Sequence, residues 1–224
     1  MARSFNGTSD YLTTGNFSTP STPASFAAWY YTTSTANDIT ILCAKNGGGN
    51  GGLQFRVQTS TAKFQFIDSN VAVIATSSTL LSTTNAWKFA GATYDNPSGN
   101  VIFYYGDAGG VSSESIGASV SLSSTPNGFV IGAAVAGGSD PANQQWWPGR
   151  IAEVAVWNVV LTAAEMNAMG VKGYSPAVIR PASIVEYWPL VRDLTGVKKG
   201  GLSAGSGTSV IEHPRIIYPK RKAS

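Results

Sequence analysis

Short runs of aromatic and β-branched residues recur along most of the chain, with turns rich in Gly, Asn, Ser and Pro between them. Runs of this kind, bounded by turn-forming residues, are typical of strands in an all-β sandwich or barrel. The predicted strands are Ser4–Thr13, Ser25–Thr32, Ile39–Lys45, Leu53–Gln58, Lys63–Ile67, Val71–Thr76, Ala86–Tyr94, Val101–Tyr105, Ser115–Leu122, Phe129–Ala134 and Ile151–Asn158.

Alternation within these runs predicts which side chains face the core. In "LQFRVQ", Leu53, Phe55 and Val57 share one side of the strand, and polar residues share the other. Phe64 and Phe66 repeat the pattern in "KFQFI". A strand with one buried face has this period of two, so we expect all five side chains in the core.

One short helix is predicted in "LTAAEMNAMG". Thr162 and Glu165 stand three positions apart, as in a capping box, and Gly170 is placed to end the helix in a left-handed conformation. After Gly170 the sequence becomes Pro-bearing and extended.

The chain is therefore divided into a sandwich domain, 1–170, and an extended C-terminal segment, 171–224. Of the 15 Lys and Arg residues in the chain, nine lie in that segment. Such a segment cannot build a core of its own, so it lies on the sandwich, lies on a neighbour or stays mobile. Its clustered positive charge suits contact with nucleic acid, an acidic surface or a partner subunit, and a solvated terminus is an equally good interpretation. The candidate anchoring residues are Arg215, Lys220, Arg221 and Lys222.

Several kinds of chemistry are excluded by the residue counts. Cys43 is the only cysteine and His213 the only histidine, so an intramolecular disulfide, a thiol-rich metal site and a multi-histidine zinc site cannot form. A glycosidase needs two carboxylates across the scissile bond, about 5 Å apart in retaining enzymes. Glu153 stands alone in its strand, so we expect no enzyme activity unless remote strands bring acids together.

Two kinds of ligand site remain open. Calcium accepts oxygen ligands from loops, and Asp95, Asn96 and Asp107 lie around one predicted hairpin. Asp and Asn also form turns, and we favour that interpretation for these residues. We therefore expect no cofactor, and calcium is the one alternative left open.

Carbohydrate binding needs an exposed aromatic ring and a few polar groups beside it. "SDPANQQWW" supplies both, although adjacent tryptophans are more often packed than displayed. The candidate residues are Asp140, Asn143, Gln144, Gln145 and Trp146.

Five stretches in order resemble one family. They are "SFNGTSDYL", "WKFAGATYD", "VIFYYGD", "FVIGA" and "WWPGRIAEVAVWNVVLTAAEM". Together they resemble the laminin-G-like, concanavalin A-like jelly-roll domains over 1–170. The resemblance implies two antiparallel sheets with the first and last strands adjacent, and a short helix at an edge. It places Trp147 in the core and Trp146 on the opposite side. The acidic strand of the family's enzymatic branch is absent, and relatives often carry two acids where this chain has Ala152 and Glu153.

The opening "MARSFNGTSDYL" and the tail stretches "YWPL" and "HPRI" also resemble small bacteriophage structural proteins. The leading expectation is a non-enzymatic virion protein, a capsid decoration or tail-associated module that forms a homo-oligomer and contacts other virion subunits. The alternatives are a stand-alone lectin that binds host-surface or environmental glycans and, less favoured, a glucanase-like hydrolase. Because residues 1–25 lack the apolar core of a signal peptide, we expect synthesis in the host cytoplasm. Neither membrane insertion nor nucleic-acid binding is favoured.

Overall fold

The computed structural model shows a two-sheet sandwich with one α-helix, α1 (Ala163–Gly170), among its described residues. The all-β prediction is confirmed. The described residues are 2–15, 24–46, 51–59, 61–68, 72–80, 84–95, 98–117, 126–135, 145–190, 201–204, 207–212 and 216.

The first sheet contains eight antiparallel strands. Its main path runs β10 (Gly110–Gly117), β9 (Asn100–Asp107), β8 (Lys88–Asp95), β3 (Ser25–Thr32), β12 (Pro148–Trp157), β1 (Ala2–Asn6) and β15 (Ser209–Ile211). The eighth strand, β13 (Ile184–Trp188), pairs with the second half of β12.

The second sheet contains seven strands. They run β14 (Leu202–Ala204), β2 (Leu12–Thr14), β11 (Pro126–Ile131), β4 (Ile39–Asn46), β5 (Gly51–Gln58), β6 (Lys63–Asp68) and β7 (Ala72–Leu80). The C-terminal strands β14 and β15 therefore extend the edges of the two sheets, beside β2 and β1.

The first and last strands of the sandwich domain are adjacent, as the family resemblance implies. Phe5 of β1 lies opposite Gly149 of β12. The single predicted strand Ser4–Thr13 is wrong, because a turn splits it into β1 and β2. In that turn the Asn6 Oδ1 atom accepts hydrogen bonds from the backbone N–H groups of Thr8, Ser9 and Asp10.

The tenth strand is shifted from its prediction. Ser115–Leu122 was expected, whereas β10 begins at Gly110, because the hairpin from β9 turns at residues 108–109. Residues 118–125, which include the end of the predicted strand, lie outside the described residues.

Aromatic side chains fill the space between the sheets. Phe55 and Phe64 stack with ring centroids 5.3 Å apart, and Phe66 is fully buried with them. Leu53 and Val57 join the same cluster, so the faces predicted from alternation are confirmed.

Helix α1 packs against the outer face of the first sheet through Met166 and Met169. The capping box of Thr162 and Glu165 is confirmed, but the role predicted for Gly170 is wrong. The helix continues through Gly170, and a Cβ atom there would lie 2.7 Å from the Phe89 ring, so glycine is required for close packing on the sheet. Among the described residues, no helix has the length and apolar character needed to cross a bilayer.

Candidate functional site

Three loops meet in a cleft at one end of the sandwich. The cleft has a volume of about 440 Å³ and is lined by Gly7, Asn37, Asp38, Gln145 and Trp146. Gly7 comes from the β1–β2 turn, Asn37 and Asp38 precede β4, and Gln145 and Trp146 precede β12. A volume of this size is within the range of small-ligand sites, about 300–1,000 Å³.

Gln145 is fixed in the cleft by Thr40 of β4. The Thr40 N–H donates to the Gln145 carbonyl at 2.9 Å, and the Thr40 hydroxyl donates to Gln145 Oε1 at 2.9 Å. Gln145 has a φ of +63°, a left-handed conformation that is uncommon for a residue other than glycine. Because Oε1 is engaged, the amide nitrogen with its two donors is the polar group of Gln145 that can serve a ligand.

The two adjacent tryptophans have different environments. Trp147 is fully buried, packs edge-on against Tyr30 and donates its indole N–H to the Tyr31 carbonyl at 3.2 Å. Trp146 is partly exposed and lines the cleft. The Tyr11 ring supports it, with centroids 5.9 Å apart. The structure therefore places Trp147 in the core and leaves Trp146 accessible to a ligand.

Cys43 belongs to the small cluster against which Trp146 packs. Burial raises the pKa of the Cys43 thiol to about 12, so at neutral pH it is a neutral packing residue.

Asp38 brings a carboxylate to the same cleft. Its Oδ1 atom accepts from the Thr59 backbone N–H at 2.8 Å and from the Thr59 hydroxyl at 2.6 Å. Its Oδ2 atom pairs with the Arg56 guanidinium at 2.9 Å. Burial alone would raise the pKa of Asp38, but the Thr59 hydrogen bonds and the Arg56 charge together hold it below its usual value. The group is therefore ionised at neutral pH and can accept hydrogen bonds from ligand hydroxyls.

A polar network continues from Asp38 across the second sheet. Arg56 donates two hydrogen bonds to Gln65 Oε1, at 3.0 and 2.9 Å. The Gln65 amide nitrogen in turn donates to Gln58 and Thr76, at 3.1 Å each. These contacts hold the Arg56 side chain in place, and through it the Asp38 carboxylate.

A family model described as the concanavalin A-like lectin/glucanases superfamily, Laminin_G_3, matches residues 6–167. The chain belongs to this superfamily. A comparison with curated proteins gives no match.

Solved structures share the lectin/glucanase fold at low sequence identity. A native heptameric SAP-like pentraxin from Limulus polyphemus is 13% identical, with a TM-score of 0.61 and 93% of each chain covered. A putative carbohydrate-binding protein from Bacteroides ovatus is 18% identical, with a TM-score of 0.63; the match covers 97% of this chain and 62% of that one. The CBM40 module of a Ruminococcus gnavus sialidase is 12% identical, with a TM-score of 0.53, covering 76% of this chain and 97% of that one.

Only part of the predicted carbohydrate site lies among the described residues. Gln145 and Trp146 lie together in the cleft. Asp140, Asn143 and Gln144 lie outside the described residues, as do the candidate anchors Arg215, Lys220, Arg221 and Lys222.

Sequence reasoning missed Asn37 and Asp38. Both precede a strand in a turn-like stretch, and no local motif separates them from the other Asn and Asp residues of loops.

The predicted calcium ligands are not brought together. Asp95 and Lys88 lie at opposite ends of β8, and Lys88 bonds Asp107 of β9 at 2.6 Å. At a rise of about 3.3 Å per residue, the Cα atoms of Asp95 and Asp107 lie roughly 23 Å apart along the β8–β9 pair, too far for their carboxylates to share one ion. Asn96 lies outside the described residues. Within the described ranges, no group of three or more His, Cys, Asp or Glu residues could hold a metal ion.

Two carboxylates lie on neighbouring strands, one in the middle of β12 and one in β13. Glu153 is 1% exposed and Glu186 0% exposed, so solvent and substrate do not reach them in this structure. The Tyr187 hydroxyl donates to Glu153 Oε2 and lies 3.0 Å from the Ser175 hydroxyl. These acids therefore belong to a buried hydrogen-bond network that fastens β13 and the segment before it to β12.

Proposed function

We propose that this protein is a lectin-like module that binds carbohydrate in the cleft of Asn37, Asp38, Gln145 and Trp146. The observation that carries the proposal is the partly exposed Trp146 ring beside an ionised carboxylate and the Gln145 amide nitrogen, which donates no hydrogen bond among the described contacts. An aromatic face packs against the C–H face of a sugar ring, and convergent polar groups select its hydroxyls. Membership of the lectin/glucanase superfamily supports this class of ligand.

Each side chain has a distinct role in the proposed complex. Trp146 supplies the stacking surface, and the Tyr11 ring behind it keeps its orientation. Asp38 accepts hydrogen bonds from sugar hydroxyls, and the Gln145 amide nitrogen donates one. Because Thr40, Thr59 and Arg56 already fix these groups, little side-chain entropy is lost on binding.

A glycan array followed by calorimetry on the best glycan tests this proposal. We expect Trp146→Ala to weaken binding at least tenfold, and Gln145→Ala to weaken it about fivefold, which is the loss of about one hydrogen bond. Tyr174→Ala is the matched control, because Tyr174 is an exposed aromatic residue that lies outside the cleft. An array that is blank with and without calcium, or a Trp146→Ala protein that binds normally, would contradict the proposal.

We also propose that the protein is a component of a bacteriophage virion and that it assembles as a homo-oligomer. The resemblance of its opening and tail stretches to small phage structural proteins supports this role. Sedimentation of phage particles followed by immunoblotting should find the protein in the particle fraction, and light scattering should give a mass of at least two chains. A monomer absent from purified particles would overturn both parts.

A further inference from the structure

The outer face of the first sheet carries a second aromatic and polar surface, here named the sheet platform: Ser4, Tyr31, Trp87 and Arg150. Ser4 lies opposite Arg150, and Arg150 lies opposite Tyr31, in the register of β1, β12 and β3. The Trp87 ring stands edge-on to Tyr31, with centroids 6.0 Å apart. Directly opposite residues of antiparallel strands share a face, so these side chains form one row across the sheet.

The sheet platform lies next to the part of the sheet that helix α1 covers. On the same face, two residues further along each strand, the side chains are buried in the cluster that includes Met166 of α1: Ala152, Trp29 and Phe89. Tyr31, Trp87 and Arg150 are only partly buried. A row of large side chains is thus left accessible beside a packed helix.

Arg150 is the electrostatic centre of this row. Its guanidinium carbon lies 4.6 Å from the centroid of the Tyr31 ring, in cation–π contact. Three other cations of the described residues are paired with carboxylates: Arg56 with Asp38, Lys88 with Asp107 and Arg180 with Glu165. Within that same part of the chain, Arg150 has no carboxylate partner, and its guanidinium donates no hydrogen bond.

A stacked guanidinium of this kind is prepared for a planar anion. The Arg150 guanidinium lies over the Tyr31 ring, and its N–H groups form a planar fork that matches the two oxygens of a carboxylate. Because the guanidinium covers one face of Tyr31, the ring that can stack on a ligand is Trp87. Trp87 and Arg150 therefore offer an apolar surface and an anion site side by side.

We propose that the sheet platform binds a uronic acid unit of an acidic polysaccharide. Its sugar ring stacks on Trp87 while its carboxylate accepts paired hydrogen bonds from Arg150. A nucleic acid fits less well, because a phosphate backbone needs several cations along its path, and Arg150 is the one cation among the four platform residues. The platform lies on the first sheet, whereas Trp146 packs against residues of the second, so this site is independent of the cleft.

Calorimetry with tetragalacturonic acid and with its fully methyl-esterified form tests the proposal on the full chain. The two probes differ in the charge of the carboxyl groups. We expect the acid to bind the wild type at least tenfold more tightly than the ester. Arg150→Gln should remove that preference, while Lys172→Gln, which removes one exposed surface charge, and Trp146→Ala should keep it.

A second measurement does not depend on how well the Arg150 variant folds. The indole N–H resonance of Trp87, assigned with a Trp87→Phe variant, should shift when the wild type is saturated with tetragalacturonate, and that of Trp146 should not. Absence of binding to the wild type, an unshifted Trp87 resonance, or equal losses in the Arg150→Gln and Lys172→Gln proteins would overturn the proposal.

Discussion

The buried network around Tyr187 gives a sharp test of what holds the C-terminal segment to the sandwich. Tyr187 is 2% exposed, and its hydroxyl donates to Glu153. A phenol has one proton, so the Ser175 hydroxyl, 3.0 Å away, must donate to Tyr187. The Ser175 oxygen also accepts from the Ala177 N–H at 3.3 Å. Tyr187→Phe removes only the oxygen that joins these groups.

The expected cost follows from the two groups left behind. Glu153 loses a donor to a buried carboxylate, and Ser175 loses its acceptor in a buried site. A buried polar group that loses one hydrogen-bond partner costs roughly 1–3 kcal/mol, and more if it is charged. We therefore expect a loss of about 3 kcal/mol in the free energy of unfolding, which for a domain of this size lowers Tm by roughly 6–12 °C.

Calorimetry and urea denaturation measure this loss directly. Tyr174→Phe is the matched control, because Tyr174 is 42% exposed, and it should change the free energy of unfolding by less than about 0.5 kcal/mol. The m-value should stay constant, since the same surface is exposed on unfolding. A Tyr187→Phe protein within about 1 kcal/mol of the wild type would refute the reasoning, as would equal losses in the two variants.

Three further predictions concern other parts of the sandwich. A Cβ atom at Gly149 would lie 2.1 Å from a strand carbonyl, so Gly149→Ala should cost at least about 3 kcal/mol or prevent folding. Gly99→Ala, at a left-handed position with nothing within 4 Å, should cost only about 1 kcal/mol in the same urea titration; similar losses would contradict the steric argument. Cys43, whose pKa burial raises to about 12, should react with a thiol reagent only after urea is added, and rapid labelling of the native protein would show that it is accessible. The lowered pKa of Asp38 stabilises the fold above the unfolded carboxyl pKa of about 3.9, and this stability is lost as the pH falls through the folded value. Asp38→Asn should therefore flatten the fall in Tm below about pH 4, and a variant whose Tm falls as steeply as that of the wild type would contradict this reasoning.

Local patterns predicted much of the scaffold. Alternation identified Phe55 and Phe64 as core residues because the side-chain period of a strand is two, whatever its neighbours are. The capping box at Thr162 was predictable because both of its partners lie within four residues. Gly170 was misjudged because its small size serves a contact with Phe89 of another element, which no local pattern records.

The candidate site was predicted only where its residues are neighbours in sequence. Gln145 and Trp146 were found because polar residues adjoin the tryptophan pair. Asp38 was missed, since nothing near it in the chain points to a ligand.

The sequence by itself determined the class of fold, the faces of its strands and the superfamily motif that places Trp147 in the core. The tertiary structure decided which loops and which strand residues lie together. Thr40 and Gln145 are hydrogen-bonded although 105 positions separate them, and Tyr31 contacts Arg150 only because β3 pairs with β12. The physical reason is that periodicity fixes the side of the sheet on which a residue lies. Its neighbours on that side depend on strand order and register, which are set by packing of the whole core.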